Sequence, residues 1–178
     1  MRLLLAFTLV FLAGCTGKPS LYDPSLSERQ LNLEEFFAGK TVAYGQFQDI
    51  FGTLRRRFTV EVDGQWDGRV LVLTEDFVYE DGSTEQRVWT LTKTGPDSWK
   101  GAAPGTIGVA TGQERGDTFN WRYTIDLPVP SADGETETIR ATFDDWMWLM
   151  ADDRLFNRAY IQRYGIDIGD VAIWFEKR

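Results

Sequence analysis

The chain has 178 residues, 43% of them hydrophobic and 14% aromatic, with 27 acidic against 19 basic side chains and a formal net charge of -8. That length suits one domain with a core of its own, and the acidic balance argues against a nucleic-acid partner, which needs a concentrated basic surface. With no histidine and a single cysteine, His-based triads, Cys–His nucleophiles, His-ligated haem and His/Cys zinc sites are excluded. No cofactor and no metal are expected, and any catalysis falls to carboxylate, Lys, Tyr, Ser or Thr chemistry.

Residues 1–14 read as a lipoprotein signal peptide. Arg2 supplies the positive start, and Leu3 to Leu12 form an apolar run broken only by Thr8, shorter than the ~20 residues that cross a bilayer as a helix. Leu12-Ala13-Gly14-Cys15 resembles the lipobox of bacterial lipoproteins, which implies cleavage before Cys15 and lipidation of that residue. Several acyl chains on one residue anchor stably where a single chain is marginal. Thr16, rather than Asp, after the cysteine implies the outer membrane under the usual Gram-negative sorting rule. The expected location is the bacterial cell envelope, lipid-anchored and facing the periplasm. Loss of Arg2 makes the mature chain one unit more negative, so its acidic body is expected to stand off anionic lipid.

Residues 15–30 read as a lipidated tether, with Pro19 and Pro24 and little periodicity. Asn32 before Leu33-Glu34-Glu35-Phe36-Phe37 predicts an N-cap and a short amphipathic helix that stops at Gly39. From Thr41 the hydrophobic period becomes two. Alternating segments near 41–51, 54–63, 69–79, 84–93, 107–115, 118–127, 137–149, 154–163 and 171–177 are separated by turn signals. These are Asp63-Gly64, Asp67-Gly68, Asp81-Gly82, Gly95-Pro96, Arg115-Gly116-Asp117, Asp133-Gly134 and Gly165. The pattern predicts one all-β domain over 31–178, an antiparallel up-and-down β-barrel of about 9–10 strands with a short N-terminal capping helix. A transmembrane barrel fits less well, because its apolar face would meet lipid and its polar face the lumen.

Alternation also assigns faces. Phe119, Trp121, Tyr123, Ile125 and Leu127 make the clearest inward face, and Trp89 falls on another. Arg56, Glu75, Arg87, Asp145 and Asn157 lie on otherwise apolar inward faces, where a charge must be paired or hydrogen-bonded. They are expected to meet one another, as a structural ion-pair network or as a polar patch that fixes a ligand head group in an apolar cavity, or else to be polar strand ends at the rim. Mid-strand Arg56 is expected to be the most buried of them. The candidate ligand-binding residues are therefore Arg56, Glu75, Arg87, Trp89, Trp121, Tyr123, Asp145 and Asn157. Trp146 and Trp148 share the opposite face; they either pack beneath the helix or a long loop, or present a surface to an envelope protein partner. The pairs Asp144/Asp145 and Asp152/Asp153 lack calcium-loop spacing and read as solvated turn carboxylates.

Residues 39–68, GKTVAYGQFQDIFGTLRRRFTVEVDGQWDG, resemble the opening of the bacterial lipoprotein family catalogued as domain of unknown function 3833. Phe77-Val78-Tyr79-Glu80-Asp81-Gly82, Arg87-Val88-Trp89, Trp121-Arg122-Tyr123, Leu127-Pro128-Val129 and Phe143-Asp144-Asp145-Trp146-Met147 fit it as well. So do Asn157-Arg158-Ala159 and Tyr164-Gly165, and the resemblance covers roughly residues 31–178. It implies a lipobox but no assigned activity or catalytic residue. More distantly, the helix and strand count resemble the calycin barrels, among them lipocalins, fatty-acid-binding proteins and nitrobindin-like domains. Thr41 stands where lipocalins carry the Trp of Gly-x-Trp, and no His is present to hold haem.

These observations lead to a membrane-anchored lipoprotein whose barrel binds or carries a hydrophobic ligand, such as a fatty acid or lipid, with Arg56 or Arg87 orienting its carboxylate. One alternative is a structural or assembly lipoprotein that docks a partner near Trp146 and Trp148. The other is a cofactor-free enzyme using Asp145 or Glu75 with an inward tyrosine; a non-enzymatic role is the preferred expectation.

Overall fold

The computed structural model describes residues 17–25, 27–130 and 136–178; Cys15, the signal-like run and the Asp133-Gly134 turn lie outside them. A helix α1 (Leu33–Phe37) precedes ten strands: β1 (Gly39–Asp49), β2 (Leu54–Trp66), β3 (Val70–Tyr79), β4 (Thr84–Gly95), β5 (Ser98–Ala102), β6 (Thr106–Arg115), β7 (Thr118–Pro130), β8 (Thr136–Ala151), β9 (Arg154–Arg163) and β10 (Ile166–Lys177). Each strand pairs antiparallel with the next, and β1 pairs with β10 from Thr41–Lys177 to Asp49–Gly169. The result is the closed up-and-down barrel that the alternation predicts.

Three local differences have physical causes. The strand absent from the alternating segments is β5, five residues with Gly101 in it, too short to show a period. The strand β10 starts at Ile166 rather than near 171, through a register shift between Asp167 and Gly169. Asp63-Gly64 is not a turn but lies inside β2: a Cβ at Gly64 would stand 1.7 Å from the Phe37 carbonyl oxygen, so only glycine lets the helix end lie against the strand.

That helix plugs one end of the barrel. Five residues cannot hold a helix in water unaided, so the barrel holds it. Leu33, Phe36 and Phe37 are buried, each contributing about 1.5–3 kcal/mol relative to exposure, and Phe37 meets Phe175 edge-to-face at 5.4 Å. Asn32 occupies the N-cap position, but its side chain donates to Glu35 Oε2 (3.1 Å) instead of acting as a cap. The Leu33 N–H donates across the barrel to Glu114 Oε1 (2.7 Å), and the Trp99 indole N–H shares that oxygen (3.1 Å). Lys93 ion-pairs with Glu34. At the other end of the helix, Lys177 Nζ donates to the carbonyls of Phe36 (2.9 Å), Ala38 (3.1 Å) and Glu35.

The opposite end is the mouth, ringed by the β1–β2, β3–β4, β5–β6 and β9–β10 turns. Most inward residues are apolar, while Arg57, Glu61 and Asp76 point outward into solvent, the reverse of a transmembrane barrel. The segment before α1 straps across the outer wall. Lys18 Nζ bonds Asp167 Oδ1 on β10 (2.8 Å) and lies over the Tyr160 ring on β9. Tyr22 lies under the Arg115 guanidinium on β6, Arg29 pairs with Asp152, and the Leu31 N–H donates to the Gly116 carbonyl (2.8 Å). Between those ends the strap passes over β8, where Trp146 is only 6% exposed and stacks on Trp148. Trp146 is therefore covered on the outer wall and does not present an exposed surface.

Replacing Glu114 by Ala strands two buried donors, the Leu33 amide and the Trp99 indole. Chemical denaturation of Glu114→Ala should show a loss of about 2–3 kcal/mol, whereas Glu114→Gln, which keeps an acceptor oxygen, should lose clearly less.

Candidate ligand-binding cavity

Ten strands around one short helix enclose more space than their side chains fill. Above α1 the lumen holds a cavity of about 760 Å³, within the ~300–1,000 Å³ range of small-molecule sites. Its floor is Leu33, Phe37 and Phe175, and its walls are mainly aromatic and aliphatic. Tyr123 stacks on Phe143 with centroids 5.0 Å apart and meets Trp89 edge-to-face at 4.9 Å; Phe58 and Phe77 pack at 5.6 Å. All eight residues singled out from the sequence line this cavity: Arg56, Glu75, Arg87, Trp89, Trp121, Tyr123, Asp145 and Asn157.

They do not form one network. Glu75 and Arg87 face each other across β3 and β4. Arg87 Nη2 donates to Glu85 Oε1 (2.7 Å), and the Tyr79 hydroxyl donates to Glu85 Oε2 (2.7 Å). Glu85, which the sequence reading missed, shares the parity of Arg87 and Trp89 on β4, so alternation alone carried the signal. Arg56 departs from expectation. With β2 starting at Leu54 it stands at the mouth, its side chain 39% exposed. Its guanidinium lies 3.3 Å above the Tyr79 ring, and Nη2 donates to Ser83 Oγ (2.9 Å) with Asp81 beyond. Polar groups thus descend one wall in sequence from the rim, through Arg56, Tyr79, Glu85 and Arg87, to Glu75 at mid-depth.

Asp145 lies in the cavity wall on β8, opposite Trp121 and Ala159. The pair Asp144/Asp145 is buried in mid-strand rather than solvated in a turn: Asp144 points outward to Asn120 (2.8 Å) and Arg122 (3.3 Å), Asp145 inward. Asp152 and Asp153 do occupy the exposed β8–β9 turn. Asn157 is buried and donates to the Trp146 carbonyl (3.2 Å), a wall-bracing bond rather than a free ligand contact. No group of three metal-ligating side chains occurs among the described residues.

The low dielectric of the cavity sets the protonation states. Burial pushes the Glu75 carboxyl from its ordinary 4.5 up to about 7, against the pull of the Arg87 cation and with a further push from Glu85. Burial also drives Asp145 well above the carboxylate range, helped by the charges of Asp144 and Glu75, and its Oδ1 has no hydrogen-bond partner among the described residues. Tyr123 is raised by burial and then by Asp145, and Tyr79 goes up to about 12 through burial and its bond to Glu85. Burial works against the Arg87 charge, but Glu75, Tyr123 and Glu85 outweigh it; Glu85 is held low because Arg87 and Tyr79 outweigh its own burial. Near neutral pH the mid-cavity therefore presents a half-ionised Glu75 beside the Arg87 cation, with the Asp145 carboxyl shifted toward its protonated form.

A carboxyl group whose folded value lies above its unfolded one favours folding fully below the unfolded value. Its contribution falls away as pH rises through the folded value. For Glu75 that window runs from about pH 4.5 to about 7. Denaturation at pH 5 and pH 8 should show Glu75→Gln gaining on the parent protein by about 2 kcal/mol more at pH 8; an equal difference at both pH values contradicts the assignment.

Solved structures give the fold a setting. An S-type phycobiliprotein lyase, CPES, from Guillardia theta is similar over 83% of this chain and 93% of its own, with a TM-score of 0.58 and 14% identity. A redesigned beta barrel is similar over 82% of this chain and 94% of its own, with a TM-score of 0.41 and 10% identity. The first likeness shows a shared barrel fold and no shared activity. No curated protein matches the chain. The family model described as "Protein of unknown function (DUF3833)" matches residues 9–177, and the chain belongs to that family.

Proposed function

We propose that this chain is a lipoprotein of the bacterial cell envelope, anchored through Cys15, whose barrel binds or carries a single-chain amphiphile such as a fatty acid. The observation that carries this reading is the cavity itself, apolar around most of its wall with one line of polar groups reaching mid-depth. Apolar burial supplies affinity, about 2.5 kcal/mol per 100 Å² of ligand surface withdrawn from water. The polar line fixes orientation. A ligand carboxylate beside Arg87 gains a charge-assisted contact and can accept a hydrogen bond from the Tyr123 hydroxyl. The cation is already balanced by Glu85, so the site tolerates an empty state without a buried unpaired charge.

Catalysis is the weaker reading. Raised carboxyl groups suit proton transfer, but the structure offers no nucleophile–base pair to go with them among the described residues.

Two measurements test the proposal. Mass analysis of the N-terminal peptide of protein purified from bacterial membranes should show acylated Cys15, and Cys15→Ala should abolish the modification. Titration with cis-parinaric acid, read by energy transfer from Trp89 and Trp121, should saturate at one equivalent. Arg87→Gln, with its fold checked by circular dichroism, should weaken binding at least tenfold. Absence of saturable binding to the parent protein would overturn the carrier reading.

A further inference from the structure

The mouth of the barrel carries a feature that neither the cavity nor the fold requires. Phe51 in the β1–β2 turn is 85% exposed, Tyr164 in the β9–β10 turn 88%, and Ile166 beside it 67%. Ile50 is exposed as well, and its backbone N–H donates to the Ile168 carbonyl (3.2 Å), which joins the two turns side by side. Four large apolar side chains thus project from one arc of the rim. None of them lines the cavity, and turns facing water are ordinarily polar. Exposed apolar groups clustered in this way mark a contact surface.

The path of the N-terminal segment identifies what the surface meets. Lys18 is fixed at this same rim by its bond to Asp167, the neighbour of Ile166, and Gln162 holds Asp167 from the other side (2.7 Å). Cys15 is three residues earlier, and three residues extend at most about 10 Å. An acyl anchor on Cys15 therefore enters the membrane beside the mouth, and not beside the α1-plugged end, although the strap runs the length of the wall between the two. The cations near the arc are already paired, Arg55 with Asp49 and Arg163 with Glu137, so the surface offers apolar contact rather than a basic patch.

We propose that the mouth of the barrel docks on the lipid bilayer through the β1–β2 and β9–β10 turns, so that the cavity opens directly onto the membrane holding the anchor. This rests on the anchored-carrier reading and adds the source of the ligand: an amphiphile passes between bilayer and cavity without crossing water. An aromatic and aliphatic rim at the level of the head groups is suited to that interface. Its attachment draws on apolar insertion, so it is insensitive to salt, unlike attachment through surface charge.

The test uses the full-length acylated protein reconstituted in phosphatidylcholine vesicles, in which Cys15 is blocked by its lipid. Phe51→Cys, Tyr164→Cys and, at the plugged end, Gln65→Cys are each labelled with an environment-sensitive fluorophore. Nitroxide-bearing phosphatidylcholine should quench the labels at 51 and 164 at least fivefold more than the label at 65, equally at low and high salt. Equal quenching at all three positions, or stronger quenching at 65, overturns the docking. A second measurement follows cis-parinaric acid moving from donor vesicles into the protein. Phe51→Asp with Ile166→Asp should slow that transfer at least tenfold while leaving its equilibrium affinity in solution unchanged; an unchanged rate overturns direct exchange. Failure of the underlying reading gives a different signature, namely an unacylated N-terminal peptide or no parinarate binding by the parent protein.

Discussion

The pairing of β1 with β10 removes both edges of the sheet and converts simple alternation along each strand into a division between inside and outside. Once the ring is closed, every second residue of ten strands is withdrawn from solvent whether or not it finds a partner across the lumen. Ten strands set a circumference too wide for those side chains to fill. The helix takes up the space at one end only, held there by a carboxylate that satisfies its first amide and by a lysine that satisfies its last carbonyls. The remaining volume is left above it, so the cavity is a consequence of closure together with a short plug.

Charge inside such a volume obeys different rules from charge on the wall outside. On the outer wall, Arg140 with Asp126 and Arg158 with Asp170 are solvent-screened pairs that contribute little to stability. Inside, the same residue types are shifted. Burial and the charges of Asp144 and Glu75 drive Asp145 upward against the weaker pull of Arg87, and Glu75 is balanced between burial and Arg87. Along the polar wall Arg87 pairs with Glu85, and the Tyr79 hydroxyl completes the carboxylate's hydrogen bonding. A low-dielectric interior with few, satisfied charges is compatible both with a stable empty barrel and with an apolar occupant.

Much of this was readable in the chain because β-strands have an exact two-residue repeat. Parity placed Glu75, Arg87, Trp89, Trp121, Tyr123, Asp145 and Asn157 on the lumen side, where the structure has them. Parity says which way a side chain points but nothing about depth. Arg56 faces inward as its parity demands, yet it stands at the rim, because depth depends on where β2 begins and on the stagger between strands. The same limit hid the ladder from Arg56 to Glu75, which is a matter of neighbours across strands. Asp63-Gly64 misled for another reason: the dipeptide favours a turn locally, and contact with the helix, a tertiary fact, decided against it. The path of the strap was equally beyond local reading, since it is held by ion pairs with residues more than a hundred positions away.

The grip of Lys177 on α1 has a consequence for how the molecule is made. The helix is the first element of the barrel to leave the ribosome, and its carbonyl partner belongs to the last strand. Contacts this distant in sequence form late and slowly, because the loop between them must close before they contribute anything. Until β10 arrives, the helix has only β2, β4 and β6 to rest on, and the apolar faces of nine strands stand open as an incomplete sheet with two bare edges. Such an intermediate is prone to associate with other chains. Closing the last seam and seating the floor are thus one event, and the cavity appears only with it.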